Sequence, residues 1–374
     1  MRFLSIIHKI AVFGVVGAVI PLAGCGSPDF TQMKPTVWKP TAKVFLVGSP
    51  PGWQASKALS LATDNGVAAQ VVQVPLGSFA SDLKSAMAQQ NSGLVLAVVN
   101  GPVPQSALSV MQGDPKTNFD VVSFANSIGA TTNAANNVKW ILPDTLLTSY
   151  ALGWLAGQFA VQQPLYPVGW LSSGPSAMSK SEMQAALAGI YAGSTGGTPG
   201  NSGLTANSTN SVNSSGGSTG IPGFSGTPGT PFLGAPLSIV PVDLSTTPLP
   251  PIPKVMVVTR PLTSSEASLL KANGTEIVSL VAQPGGVAAA AQPQLPGPAA
   301  VADEFKKWSA HQWSATPSIS SSVPFVQVDK PVVPVLTQQA LANLQTSIAS
   351  HRAYAAGAWS QLPPSLQQLW GPLS

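Results

Sequence analysis

The chain has 374 residues, of which 8% are charged, with 17 Lys and Arg against 13 Asp and Glu. So thin and balanced a charge gives no electrostatic footprint for nucleic acid, and one cysteine excludes an intrachain disulfide framework. A surface built from Ser, Thr, Asn, Gln, Gly and Pro has few carboxylates to protonate, so stability is expected to depend weakly on pH.

The first element is a leader. Arg2 and Lys9 form a positive n-region, Ile10 to Ile20 an apolar h-region, and the small residues Ala23 and Gly24 precede Cys25. Leu22-Ala23-Gly24-Cys25 resembles a bacterial lipobox, in which the cysteine sulfur takes a diacylglycerol and the leader is cut just before it. The resemblance implies a leader over 1–24, lipidation at Cys25, and a chain held on the extracytoplasmic face of the cell membrane, each buried methylene contributing about 0.8 kcal/mol. The alternative is an uncleaved apolar anchor with a chance cysteine, but the run is short of the roughly 20 residues that a span needs. Loss of Arg2 and Lys9 takes the basic count from 17 to 15 against 13 acidic residues, a balance of +2.

Residues 25–42 read as a proline-bearing tether. A first lobe is expected over 43–166. Lys43 to Val47 is a short apolar strand ending in Gly48-Ser49-Pro50-Pro51-Gly52, and Gln54 to Asn65 is helical in pattern, closed by Gly66. There follow a strand Ala69 to Val74, a helix Ser78 to Gln90, a strand Leu94 to Val99, a short helix Gln105 to Met111, and strands Val121 to Ala125 and Val138 to Leu142. Asp144 is placed to cap a helix from Thr145 to Gln163, in which Gly153 and Gly157, one turn apart, permit close backbone approach. Strands alternating with helices predict parallel βαβ units.

A second lobe is expected over 167–282, with a strand Val168 to Leu171, a helix Ser179 to Tyr191, strands Leu237 to Val242 and Val255 to Thr259, a helix Ser264 to Ala272 and a strand Glu276 to Val281. Between Met183 and Val242 there is no charged residue, and 194–231 is almost wholly Gly, Ser, Thr, Asn and Pro, which reads as a disordered insertion. Residues 283–300 read as a Pro/Gly/Ala linker. The segment 301–374 completes the lobes with a helix Val301 to Trp313, a strand Val323 to Val328, a helix Thr337 to His351 and a last apolar turn.

Ser149-Tyr150-Ala151-Leu152-Gly153-Trp154-Leu155-Ala156-Gly157 resembles the aromatic-Leu-x-Gly-aromatic-Leu-Ala-Gly helix of the basic membrane protein family of lipoproteins. Val168-Gly169-Trp170-Leu171-Ser172-Ser173-Gly174 is similar to the strand that opens that family's second lobe, and Met183 to Gly193 to the helix behind it. The resemblance implies a two-lobed α/β fold of the type I periplasmic-binding-protein kind, each lobe a parallel sheet flanked by helices. It further implies the substrate receptor of an ABC importer for nucleosides, with a permease as partner. The chain departs from the family in two loops. Gly48 to Trp53 and Ala282 to Gly286 hold no carboxylate to pair with ribose hydroxyls, so the expected ligand is a small, neutral polar molecule, nucleoside-like only by the family resemblance. A surface adaptor or sensor that keeps the fold without the ligand contacts is the competing reading.

No Gly-x-Ser-x-Gly stands at a strand-to-helix turn, where a nucleophile elbow needs it, no phosphate loop occurs, His311 and His351 lie in helical segments without partners near them in sequence, and carboxylates do not cluster. No catalytic residue, cofactor or metal is therefore expected. Open α/β sheets bind ligands at the carboxyl ends of their strands. Ser49 and Trp53 follow the first strand, Asn100 the third, Asn126 the fourth, Ser173 the first strand of the second lobe, and Arg260 the strand Val255 to Thr259. Trp53 is the candidate aromatic platform and Arg260 the candidate clamp. Each has a plainer alternative: Trp53 as packing under its loop, Asn100 as a turn residue, Ser173 as a helix cap.

Overall fold

The computed structural model describes residues 40–89, 93–124, 136–162, 167–195, 238–284 and 286–374. Cys25, the leader, the tether up to residue 39, Asn126 and 196–231 of the expected insertion lie outside them. Among the described residues no helix is long and apolar enough to cross a membrane.

The first sheet is built from β1 (Thr41–Val47), β2 (Ala68–Val74), β3 (Leu94–Val99), β4 (Asn118–Val122), β5 (Val138–Pro143) and, from far along the chain, β11 (Ser318–Ser320). Its order is β11-β5-β4-β3-β1-β2 and every pairing is parallel. β1 and β3 are buried over nearly their whole length, as strands with both faces covered must be. Helices α1 (Ala55–Asp64), α2 (Phe79–Gln89) and α3 (Gln105–Gly113) make the crossovers. Gln54 and Asn65 flank α1 as expected, and Gly66 takes the left-handed conformation (φ +75°) that ends the helix.

The second sheet contains β6 (Val168–Leu171), β7 (Ile239–Val242), β8 (Val255–Val258), β9 (Glu276–Ser279), β10 (Ala291–Pro293) and β12 (Val326–Val328). Its order β12-β10-β9-β8-β6-β7 repeats that of the first, and only the β10–β12 pair is antiparallel. Around it lie α4 (Thr145–Gln162), α5 (Lys180–Thr195), α6 (Ser264–Ala272), α8 (Val335–Ser350), α9 (Arg352–Gly357) and α10 (Pro364–Trp370), while α7 (Ala299–Ser309) packs on the first sheet.

The chain therefore passes between the lobes three times, at Asp144, at 294–298 and at 321–325. The passes brace one another: Asp144 N–H donates to the Ser320 carbonyl and Gln294 N–H to the Phe325 carbonyl, each at 3.0 Å.

α4 and α5 meet through glycines. A Cβ on Gly153 or Gly157 would come within 2.0 or 2.3 Å of the Ala186 or Ile190 carbonyl oxygen, and one on Gly189 or Gly193 within 2.1 Å of the Tyr150 or Trp154 oxygen. The expected close approach at Gly153 and Gly157 is thus reciprocated by a second pair at the same spacing in α5.

Several boundaries differ from the sequence reading, each for a local reason. The lobes divide at Asp144, not at 166/167, because α4 shares the second lobe's core with α5, Trp170 and Val257. The expected linker 283–300 contains β10, whose Ala-Gln-Pro composition hid a strand paired on both sides. β4 begins at Asn118, since its polar Asp120 is buried and broke the apolar pattern. β11 went unread because Ser-Ile-Ser is short, polar and at an edge. α5 runs on to Thr195, and the tail forms two helices that bury Trp370. His311 and His351 sit just past the ends of α7 and α8.

Candidate functional site

A cavity of about 120 Å³ lies where the carboxyl ends of the two sheets face each other. From the first lobe come Phe124, two residues past β4, and Pro143, the last residue of β5. The first turns of α4 supply Thr145, Thr148 and Ser149, aligned on one face by their spacing of three and four. The second lobe contributes Ala177, Met178 and Glu182 from the loop after β6 and the start of α5, Leu280, Val281 and Ala282 from behind β9, and Pro293 from β10.

α4 aims its hydroxyls here because its entry is fixed. Asp144, only 1% exposed, caps the helix: Oδ1 accepts from Leu147 N–H at 3.3 Å, and the Asp144 carbonyl accepts from the Thr148 hydroxyl at 2.8 Å. Oδ2 forms an ion pair with Arg352 of α9, which ties this pass to the end of the chain. Glu182 closes a capping box at the head of α5, with Oε2 accepting from Ser179 N–H at 2.7 Å. The hydroxyls of Thr145 and Ser149 and the Oε1 of Glu182 make no hydrogen bond with any described residue.

None of the five described candidates from the sequence lines this cavity. Trp53 is turned inward, 6% exposed in the core between α1 and α7, and its Nε1 donates to the Pro296 carbonyl at 3.0 Å. Its ring anchors the second pass to the first lobe, so the plainer alternative of packing is the one the geometry fits. Asn100 donates through Nδ2 to the Gly48 carbonyl at 3.1 Å, stitching the ends of β1 and β3. Gly48 must be glycine there, at φ +69° with the Asn100 carbonyl 3.1 Å from where a Cβ would sit. Ser49 follows it at φ +54° and is exposed.

The structure does bring Arg260 and Ser173 together, but for each other. Arg260 Nε donates to the Ser173 carbonyl at 2.5 Å, and Nη2 to the Ser173 hydroxyl at 3.0 Å. Nη1 donates to the Pro261 carbonyl at 3.0 Å, and both terminal nitrogens to Glu266, at 3.1 and 2.5 Å. All five N–H donors are accounted for, and this pairing holds the Glu266 carboxyl down at about 2.

Phe124, Thr145, Ser149 and Glu182 were missed as cavity residues. The sequence carried a signal for two of them: Thr145 and Ser149, with Thr148 between, are hydroxyl positions at the head of a mainly apolar helix. Glu182 was visible only as the fourth residue of a Ser-x-x-Glu cap. Among the described residues no three His, Cys, Asp or Glu side chains gather as metal ligands.

Two predominantly parallel sheets of one order, joined by three passes and facing each other across a cavity, define a two-lobed, type I periplasmic-binding-protein-like fold. No protein-family model matches the sequence, and no curated protein matches it. Among solved structures, an ABC transporter solute-binding protein from Aeropyrum pernix K1 is similar at 10% identity and a TM-score of 0.38, over 89% of this chain and 90% of that one. A sugar ABC transporter protein from Yersinia enterocolitica subsp. enterocolitica 8081 gives 11% and 0.37 over 89% and 97%, and a transcriptional activator from Bacillus halodurans 10% and 0.41 over 82% and 97%. Likeness at this level does not reach the ligand, and the fold rests on the strand order and the three passes.

Proposed function

We propose that this chain is the solute-binding receptor of an ABC importer, anchored through Cys25 to the extracytoplasmic face of the membrane and descended from proteins of the basic membrane protein kind. The observation that carries the reading is the cavity at the facing strand ends, walled by both lobes and bordered by two of the passes between them. Closure about those passes would enclose a ligand there. A purified full chain screened by thermal shift against small solutes is expected to show stabilisation, amounting to about 2.7 kcal/mol at a hundred times the dissociation constant. No stabilisation by any solute class would sink the receptor reading. Cys25→Ser is expected to block processing or release the protein from the membrane fraction. A processed variant still in that fraction would refute the anchor.

One observation favours the second reading, an adaptor or sensor that keeps the fold. Trp53 and Arg260, the side chains placed to reach a ligand from the two lobes, are both bonded to their own protein. The thermal-shift screen separates the two readings, since an adaptor with no ligand contacts would not respond.

A further inference from the structure

We propose that the interlobe cavity selects a compact organic ammonium ion, an apolar body with one cationic head, over sugars and anions. The proposal rests on the solute-binding reading and specifies its ligand.

Among the described residues Glu182 carries the only formal charge on the cavity wall. Its Oε2 serves the α5 cap, but Oε1 has no partner, and no Lys or Arg pairs with it among the described residues. The first-turn N–H groups of α5 offset part of that charge, yet an anion entering the cavity would meet a carboxylate and no cation. Arg260 has no donor left to give, and Arg352 is paired with Asp144 beside the cavity.

The polar inventory also argues against a sugar. A sugar presents a hydroxyl on nearly every carbon and needs matched polar groups around it, because each one buried without a partner costs about 1–3 kcal/mol. Here three hydroxyls and one carboxylate face a wall otherwise made of proline, aliphatic and methionine side chains with the single ring of Phe124. One of those hydroxyls, on Thr148, already donates to Asp144. Ser149 lines the cavity and its hydroxyl has no partner among the described residues, so it is open to one from a ligand. An ammonium N–H can donate to the Ser149 and Thr145 oxygens and to Glu182 Oε1, while its alkyl part rests on Leu280, Val281 and Pro293. Phe124 can add a cation–π attraction. At about 120 Å³ the cavity falls below the roughly 300–1,000 Å³ of drug-sized sites, so the ligand has few heavy atoms.

A matched set tests this on the full chain by calorimetry: tert-butylammonium, tert-butanol, pivalate and D-ribose, the first three of nearly one shape and differing in charge. Tert-butylammonium is expected to bind about tenfold or more tightly than tert-butanol, with pivalate and ribose producing no binding heat at millimolar concentration. Glu182→Gln retains a residue that closes the same cap, and its unliganded melting curve checks the fold. It is expected to bring tert-butylammonium down to the affinity of tert-butanol. If ribose or pivalate binds as tightly as the ammonium, or Glu182→Gln leaves the preference intact, the ammonium assignment falls while the receptor reading stands. Silence from all four overturns the assignment, and silence across the wider solute screen as well removes the receptor reading with it.

Discussion

The two lobes share one strand order and cover their sheets in opposite ways. Apart from Asp144 at the first pass, every fully buried charged side chain among the described residues belongs to the first lobe: Lys43, Asp120, Lys139 and Glu304. Under α7, Lys139 Nζ donates to Glu304 Oε2 at 2.5 Å, Lys307 reaches Glu304 Oε1 at 3.1 Å, and Trp313 Nε1 donates to Asp120 Oδ1 at 2.8 Å. Among its described residues the second lobe buries no charge and instead lets α4 and α5 touch backbone to backbone at four glycines. Ion pairs fix a helix by partner and geometry, at a desolvation penalty that makes the arrangement sensitive to loss of either partner. Glycine contacts fix it by shape alone and are blind to pH.

The largest effect is expected where that sensitivity is greatest. Glu304→Ala strips buried Lys139 of its ion-pair partner and leaves it only Asp120, its neighbour on the adjacent strand, among the described residues, so stability should fall by up to about 3–5 kcal/mol in urea unfolding. Adding Lys139→Met to that variant should recover most of the loss, because the pair as a whole is worth far less than either half left alone. A double variant no more stable than Glu304→Ala would show that the contrast between the lobes does not lie in charge.

In the second lobe the matching experiment is Gly189→Ala. The new methyl would stand 2.1 Å from the Tyr150 carbonyl oxygen, so the helices must part. Overpacking of this kind costs about 1–3 kcal/mol, and here the loss should be the same at pH 5 and pH 8. A pH-dependent loss would mean that charge reaches this interface after all.

Asp120 gives a smaller effect of opposite sign. Burial raises its pKa to about 7, with Glu304 adding to the rise and the Trp313 hydrogen bond, Lys139 and Lys307 opposing it. The folded state then holds its proton more tightly than the unfolded chain, whose carboxyl has the ordinary value of 3.8. Stability should therefore fall as pH rises from about 4 to about 7 and level off above, by up to a few kcal/mol. Composition alone leads to an expectation of weak pH dependence, because a count of carboxylates does not show which of them is buried, and Asp120 is where that expectation is tested. Asp120→Asn should flatten the profile and be the more stable protein at pH 8; an unchanged profile would place the titration elsewhere.

What could be read in the sequence follows the same divide. The regular alternation of strands and helices, the Asp144 cap and the Gly153–Gly157 approach are local patterns, and the structure keeps them. The site was less legible, because reaching a strand end does not tell which way a side chain turns. Trp53 and Arg260 stand at the expected loops, yet one is drawn to a carbonyl 243 residues away and the other to Glu266 and Ser173. Trp53's partner is set by a pass between the lobes and Arg260's by the neighbouring strand end and helix of its own lobe, and no periodicity encodes either. β10 and β11 were unreadable for a related reason, since strands of three residues owe their existence to neighbours on a sheet already formed.

The smallest expected effect falls on Trp53, and it bears on whether the lobes differ at their mouths as they do in their cores. Trp53→Phe keeps most of the ring that packs between α1 and α7 and removes the Nε1 donor, leaving the Pro296 carbonyl without its bond at 3.0 Å. A neutral hydrogen bond contributes about 0.5–1.5 kcal/mol net, so stability should fall by about that much. Since Trp53 lies outside the cavity wall, affinity for tert-butylammonium should change less than twofold, whereas a stacking platform would lose about 1–3 kcal/mol of binding when replaced by alanine. Trp53→Ala, measured beside it, should lose more stability than the phenylalanine variant through the missing ring and still bind. Lost affinity at unchanged stability would return Trp53 to the ligand and make the first lobe's mouth a recognition surface. Lost stability at unchanged affinity leaves it as the peg that holds the second pass against the first lobe.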